Sequence, residues 1–236
     1  MTGKSPFRGL KLGLHRLLGR KTTRVDGLTV TCDPALIPRS VVTALVKGSY
    51  EAPERQMVAD AIRKGDRVVE IGTGVGVVSL LCNRLAGAGN VLSFEANASL
   101  EPAIRANFAL NGMEPRLRLR AVTVDGAPIS FYRNENIVSS SVYDRGLEAE
   151  KVTVESEALD AVLEAEQATV LVIDVEGAEL ALLACEGVGR LREIIVETHP
   201  HIVGEAETAA MVAGLQARGF KVTGRIHKNL RLSRAG

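Results

Sequence analysis

The chain has 236 residues, 46% of them hydrophobic and 3% aromatic, with 29 basic and 28 acidic side chains and a formal net charge of +1. That length suits one α/β domain with a sizeable core. No apolar run reaches the roughly 18 residues that a membrane-spanning helix needs, and the absence of tryptophan gives little support for stacking on nucleic-acid bases.

The charge is unevenly placed. Lys4, Arg8, Lys11, Arg16, Arg20, Lys21 and Arg24 all precede the first acid, Asp26, which leaves the remainder net acidic. Leu10, Leu14, Leu17 and Leu18 fall on one helical face among those bases. Residues 1–24 therefore read as a basic amphipathic leader. It is either a helix in weak peripheral contact with an anionic membrane surface, or a helix docked on the domain or a tail. It lacks the continuous apolar core and small-residue cleavage site of a secretory signal. Residues 25–236 read as a single domain. Cys32, Cys82 and Cys185 are odd in number and far apart, as free buried thiols in a reducing cytoplasm would be, and no C-x-x-C pair suggests zinc.

Residues 28–32 alternate weakly as a strand. Gly48-Ser49-Tyr50-Glu51 breaks the chain before a helix at about 53–63, and Lys64-Gly65-Asp66 launches the first central strand. A helix at about 77–86 ends at Gly87 and Gly89. Residues 91–94 form the second strand, about 99–110 a helix, and 117–124 the third strand. A less regular stretch holds a strand at 129–132, a Ser139-Ser140-Ser141 loop and a strand at 152–154. The rhythm then returns: a helix at about 157–165, a buried strand at 170–173, a helix at 178–185 and a buried strand at 194–196. A helix at about 205–218 ends at Gly219, before a hairpin of 220–226 and 230–232. Strands alternating with helices predict a parallel sheet covered on both faces.

The chemistry concentrates at strand ends. Val68-Val69-Glu70-Ile71-Gly72-Thr73-Gly74-Val75-Gly76 reads as a buried strand carrying an acid, then three glycines on alternate positions, then a helix start. Glycines there let the chain turn sharply and approach a ligand closely. In the dinucleotide fingerprint G-x-G-x-x-G the third glycine would fall at Val77. The pattern acid-x-G-x-G-x-G instead looks like the first motif of Rossmann-like S-adenosylmethionine methyltransferases. A carboxylate beside the loop favours a sulfonium and an ammonium, and disfavours a pyrophosphate.

Glu95 ends the second strand about 20 residues on, where an acid accepts the ribose hydroxyls of a nucleoside; its plainer reading is a solvent-facing helix cap. Ala96 and Asn97 would line the same edge. Asp174 and Glu176 follow a buried strand, an expensive place for two acids that nothing uses. Glu179, one turn on, reads as a solvated acid favoured by the helix dipole. Glu197 and His199 follow the next strand. His199 is a candidate general base, or else a histidine bonded to the sheet edge.

Together these segments resemble the FkbM family of S-adenosylmethionine-dependent methyltransferases, from about Gly48 to Phe220. Gly48-Ser49-Tyr50-Glu51 resembles the family's G-x-Y-E segment, Gly65-Asp66 to Gly76 its cofactor loop, and Phe94-Glu95 its F-E acid. Asn107 to Asn111 resembles its asparagine-bearing helix, Ser140-Ser141 its serine loop and Leu159-Asp160 its L-D pair. Ile173-Asp174-Val175-Glu176-Gly177-Ala178-Glu179 is close to I-D-V-E-G-x-E, and Glu197-Thr198-His199-Pro200 resembles E-x-H-P. Two positions depart from the family: Glu70 with Gly72-Thr73-Gly74 stands for its usual Asp and G-A-N-x-G, and Val172 for a lysine.

The expected fold is a Rossmann-like α/β domain. It has a seven-stranded, mostly parallel sheet with the last strand antiparallel, and a small β insertion before the fourth strand. The resemblance implies S-adenosyl-L-methionine as cofactor and O-methylation of a small molecule or sugar; nucleic acid is not an expected partner. Glu70, Gly72, Thr73, Gly74 and Gly76 would shape the methionine end of the pocket. Glu95 would hold the ribose, and Ala121 and Val122 would flank adenine. Asp174 would sit nearest the methyl, and His199, or failing it Glu176, would take the acceptor proton. The alternatives are Mg²⁺ held by Asp174, Glu176 and Glu197, a nucleotide-binding module without turnover, and an NAD-dependent oxidoreductase.

Overall fold

A computed structural model describes residues 12–15, 17–133 and 150–234, so the serine loop at 139–141 lies outside the described residues. The first strands, β1 (Thr22–Val25) and β2 (Leu28–Thr31), pair as an antiparallel hairpin. The last residues of the basic leader thus belong to a sheet. Ahead of them Leu12 packs toward the core and His15 is buried, while Leu14, Leu17 and Leu18 are 52%, 83% and 52% exposed.

Helices α1 (Arg39–Lys47) and α2 (Ala52–Ala61) follow. The sequence reading missed α1. Its signal was Val41, Leu45 and Val46, buried on one face, with Gly48 closing the helix at φ +72°. The central part then runs β3 (Val68–Ile71), α3 (Val77–Ala86), β4 (Val91–Phe94), α4 (Glu101–Ala109), β5 (Arg116–Arg118). Next come β6 (Ala121–Thr123), β7 (Ile129–Arg133), β8 (Glu150–Val154) and β9 (Ser156–Ala158). The chain ends α5 (Leu159–Ala165), β10 (Val170–Ile173), α6 (Glu179–Ala184), β11 (Glu193–Glu197), α7 (Pro200–Val203), α8 (Glu205–Ala217), β12 (Phe220–Ile226) and β13 (Asn229–Arg234).

The seven-stranded sheet has the order β12-β13-β11-β10-β3-β4-β5. All its strands run one way except β13, which is antiparallel to both β11 and β12. This is the expected sheet. β3 and β10 are buried along their whole length, which explains why both read as unbroken apolar runs apart from Glu70. Alternate residues feed two cores. Val68, Val170 and Val172 meet the hairpin and α1–α4, whereas Val69, Ile71, Leu171 and Ile173 meet α5, α6 and α8.

The segment expected as one strand at 117–124 is two. β5 pairs with β4, then the chain leaves the sheet and β6 pairs in parallel with β9. β7 and β8 form an antiparallel pair, so the insertion before β10 exists and also absorbs the first residues of the helix expected at 157–165. From β3 the chain builds outward to β4 and β5, then crosses to β10 on the other side. Ligands of open α/β sheets bind at such a switch point, beyond the carboxyl ends of the strands. Among the described residues no helix is long and apolar enough to cross a membrane.

Candidate active site

A cleft opens at the C-terminal ends of β3, β4, β10 and β11, as the topology requires. Its floor is the glycine loop. Gly72 donates its N–H to the Phe94 carbonyl at 3.0 Å, and Asp174 donates to the Ile71 carbonyl at 2.9 Å, so the turns after β3 and β10 are tied to their neighbours. Gly72 has φ +89°, and a Cβ there would fall 1.9 Å from the Asp174 carbonyl oxygen. Only glycine allows that approach.

Gly72 and Gly74 line the cleft, but Glu70, Thr73 and Gly76 lie beneath it. Thr73 directs its hydroxyl to the Phe94 carbonyl at 3.1 Å and to Glu70 Oε2 at 3.2 Å. A Cβ on Gly76 would sit 3.2 Å from Ile104 of α4. Burial raises the Glu70 carboxyl to about 7 against the pull of Ser93, Ser79 and Thr73. These three residues build the loop from below.

Glu95 reaches the cleft with both oxygens oriented. Oε2 accepts the Gly74 N–H and Oε1 the Asn97 N–H, each at 2.8 Å. Asn97 in turn caps the next turn through Ser99. Burial lifts Glu95 to about 7, opposed by those two backbone donors. Ala96, Asn97, Ala121 and Val122 line the same end.

The other end gathers Asp174, Glu176, Glu197 and His199. His199 is only 3% exposed. Its Nε2 lies 3.4 Å from Glu197 Oε1 and 3.6 Å from Asp174 Oδ1, and its Nδ1 lies 3.4 Å from Glu179 Oε1. Glu179 corrects the expectation of a solvated acid. It is 0% exposed and accepts the backbone N–H groups of Gly177 and His199, each at 2.8 Å. Three carboxylates therefore face one imidazole. Burial works against its charge, but Glu179, Glu197 and Asp174 outweigh burial and raise His199 to about 9.

Burial and the charge of Glu197 push Asp174 up to about 7, against His199 and Lys228. Burial also works against the Glu197 carboxylate, but His199 and Lys228 hold it well below the usual range. Asp174, Glu197 and His199 each offer one ligand atom within 4.8 Å of one another, so the grouping expected from Asp174, Glu176 and Glu197 has His199 in place of Glu176. Lys228 Nζ already closes on Glu197 Oε1.

Sequence reasoning gave no role to Tyr50, Glu51 or Arg120, all of which line the cleft. For the first two the G-x-Y-E segment was the signal; Arg120 had none. Nor did it give a role to Asn107, which is fully buried. Asn107 accepts the Thr31 N–H at 2.6 Å and donates to the Val75 carbonyl at 2.7 Å, which clamps β2 and α4 to the glycine loop.

The family pattern described as methyltransferase FkbM domain matches residues 70–222. No curated protein sequence matches the chain. Among solved structures, ribosomal protein L11 methylase from Lactobacillus delbrueckii subsp. bulgaricus is 16% identical, with 80% of each chain covered and a TM-score of 0.48. Magnesium protoporphyrin IX methyltransferase from Synechocystis PCC 6803 with bound SAM is 12% identical, with 100% of this chain and 87% of that one covered and a TM-score of 0.43. An rRNA methylase from Streptococcus thermophilus is 11% identical, with 77% and 94% covered and a TM-score of 0.46. Likenesses this distant bear on neither donor nor acceptor. The match that spans the glycine loop, the paired acids and the E-x-H-P strand end is the family one, and the chain belongs to the FkbM family of S-adenosylmethionine-dependent methyltransferases.

Proposed function

We propose that the protein transfers a methyl group from S-adenosyl-L-methionine to a hydroxyl of a small molecule or sugar. The observation that carries this reading is the His199 cluster. Asp174, Glu197 and His199 meet at one end of a cleft whose other end is the Glu95–Gly74 cradle.

The residues fit the cofactor. Glu95 holds two oriented oxygens that would accept a pair of ribose hydroxyls, and Gly72 and Gly74 line the cleft with no side chains of their own. The acid-rich lining suits a cationic ligand. It would repel the pyrophosphate of NAD, for which Val77 also occupies the third glycine's place. The same acids suit a hydroxylic acceptor better than a phosphate backbone.

When bound, the cofactor supplies an electrophilic methyl group on a sulfonium sulfur. The chain must hold that carbon in line with the acceptor oxygen, which contributes roughly 7–11 kcal/mol by approximation alone. It must also take a proton as the O–C bond forms and the S–C bond breaks.

The sequence reading gave the acceptor proton to His199; the proposal gives it to Asp174. With three carboxylates around it and a pKa of about 9, the ring is an imidazolium near neutral pH and has no lone pair to offer. Asp174, at about 7, is the proton acceptor, and His199 fixes its orientation and favours its charged form.

Calorimetry and thermal shift with S-adenosylhomocysteine and NAD test the reading. S-adenosylhomocysteine should bind and raise the melting temperature, because a ligand of the folded state stabilises it. A response to NAD alone overturns the cofactor, and binding without methylation of any hydroxyl in a broad panel favours the module without turnover.

A further inference from the structure

We infer that Glu51, seated by Tyr50 and Arg55, is the acid that receives the α-ammonium group of the cofactor's amino-acid tail. This deepens the methyltransferase reading above and rests on it. The sequence had assigned the methionine end to Glu70, yet Glu70 lies under the loop and does not line the cleft. Glu51 does line it. A Cβ on Gly74 would lie 3.4 Å from Glu51 Oε1 and 3.1 Å from the Tyr50 hydroxyl, so both side chains hang directly over the glycine loop.

Three features make this a built position. Tyr50 Oη and Glu51 Oε2 are buried with no hydrogen-bond partner. The hydroxyl stands beside the Glu51 carboxyl, but no well-formed hydrogen bond joins them. Buried polar atoms left unpaired cost about 1–3 kcal/mol each, and a ligand that supplies donors recovers that cost.

Glu51 also has φ +47°, a left-handed conformation that a non-glycine residue adopts only under constraint. The constraint is visible. The buried Arg55 guanidinium donates to the Tyr50 carbonyl at 2.9 Å and to the Gly48 carbonyl at 3.0 Å, and pairs with Asp26. Arg55 thereby holds the strained turn over the loop.

The position selects the group. Glu95 is engaged by Gly74 and Asn97 at the ribose end, and Asp174 belongs to the His199 cluster at the other. An amino-acid tail continuing from a nucleoside held at Glu95 would cross Gly74, beside which Glu51 stands. An ammonium carries three donors and a positive charge, and Glu51 Oε2 with Tyr50 Oη offers it two buried oxygens that have no other partner.

The test is a binding cycle by calorimetry, with wild type and Glu51→Gln, using S-adenosylhomocysteine and its desamino analogue. Wild type should prefer S-adenosylhomocysteine by roughly 10-fold or more, as a charge-assisted hydrogen bond implies. Glu51→Gln should lose most of that preference and bind the desamino analogue nearly as wild type does. A wild type that binds both equally, or a variant that keeps the full preference, overturns the assignment. So does an equal loss for both ligands, which places Glu51 on the adenosine part. Should Glu51→Gln not fold, Tyr50→Phe is run in the same cycle and should narrow the preference, with an unchanged preference overturning the site. Failure of wild type to bind S-adenosylhomocysteine at all is a different result, and it removes the methyltransferase reading itself.

Discussion

A Cβ on Gly72 would stand 1.9 Å from the carbonyl oxygen of Asp174. The two motifs read separately in the sequence are therefore in contact through bare backbone, at the point where the sheet order reverses. Gly72→Ala must displace the β10 turn as well as adopt φ near +89°. The conformation alone costs roughly 1–3 kcal/mol, and movement of Asp174 disturbs its contact with His199. Urea unfolding should show the loss, and calorimetry should show weaker S-adenosylhomocysteine binding. A variant with wild-type stability and affinity would mean that the turn gives way without cost.

Glu95 should act on affinity and leave the fold largely intact. Glu95→Gln retains an amide oxygen for one backbone donor but loses the charge that two ribose hydroxyls would meet. S-adenosylhomocysteine affinity should fall by roughly 1.5–3 kcal/mol. 5′-Methylthioadenosine, which shares the ribose, should lose as much. A loss confined to S-adenosylhomocysteine would separate Glu95 from the ribose.

Much of the sheet was legible because its strands are buried on both faces. Val170–Ile173 and Val68–Ile71 could be little else than central parallel strands, and the acids that follow them had to lie on one rim. The elements that were misread are those whose partners are distant in sequence. β6 follows β5 with no break in composition and departs only because Ser156–Ala158 offers a separate partner. Glu179 looked solvated because its first-turn position is usual for an exposed acid. Its burial depends on His199, 20 residues later, whose N–H it accepts. The charge state of His199 was illegible for the same reason: it is set by three carboxylates from different segments.

Folding stability should fall as pH rises from about 5 to 8. Glu70 and Glu95 are raised from 4.5 to about 7, and burial also raises Glu51 and Glu54. Each such group binds more proton in the folded than in the unfolded state between those values, so its stabilising contribution is complete below the unfolded pKa and is lost as pH climbs through the folded one. Glu166 and Glu197 are lowered, and their contributions are lost only as pH falls below the usual carboxylate range. Calorimetric melting of the ligand-free protein should therefore give a higher Tm near pH 5.5 than near pH 8, by about 2–4 °C per kcal/mol. A Tm that climbs with pH across that window contradicts the buried acids.

Asn107→Ala should loosen the glycine loop from the far side of the cleft floor. It strands the Thr31 N–H and the Val75 carbonyl, each at a cost of about 1–3 kcal/mol when left buried and unpaired. Hydrogen exchange should rise in β2 and around Val75 together, since one amide holds both. Faster exchange in β2 alone would mean that the loop is held by other contacts.

The proton acceptor can be identified by the direction of the pH profile. If Asp174 accepts the hydroxyl proton, turnover should rise through about pH 7 as that carboxyl ionises and fall above about pH 9 as His199 gives up its charge. If His199 were the base, turnover would rise through pH 9 instead. Asp174→Asn should cut kcat by about 10²–10⁴-fold with S-adenosylhomocysteine affinity little changed. His199→Gln should cost less and should shift the acid limb upward, because Asp174 then loses the neighbouring charge that favours its ionised form. EDTA should leave turnover intact. Loss of activity with EDTA and its return with Mg²⁺ would transfer the activation of the hydroxyl to a metal held where Asp174, Glu197 and His199 converge within 4.8 Å. The acceptor for these assays comes from a panel of small hydroxyl compounds and sugars, scored by release of S-adenosylhomocysteine.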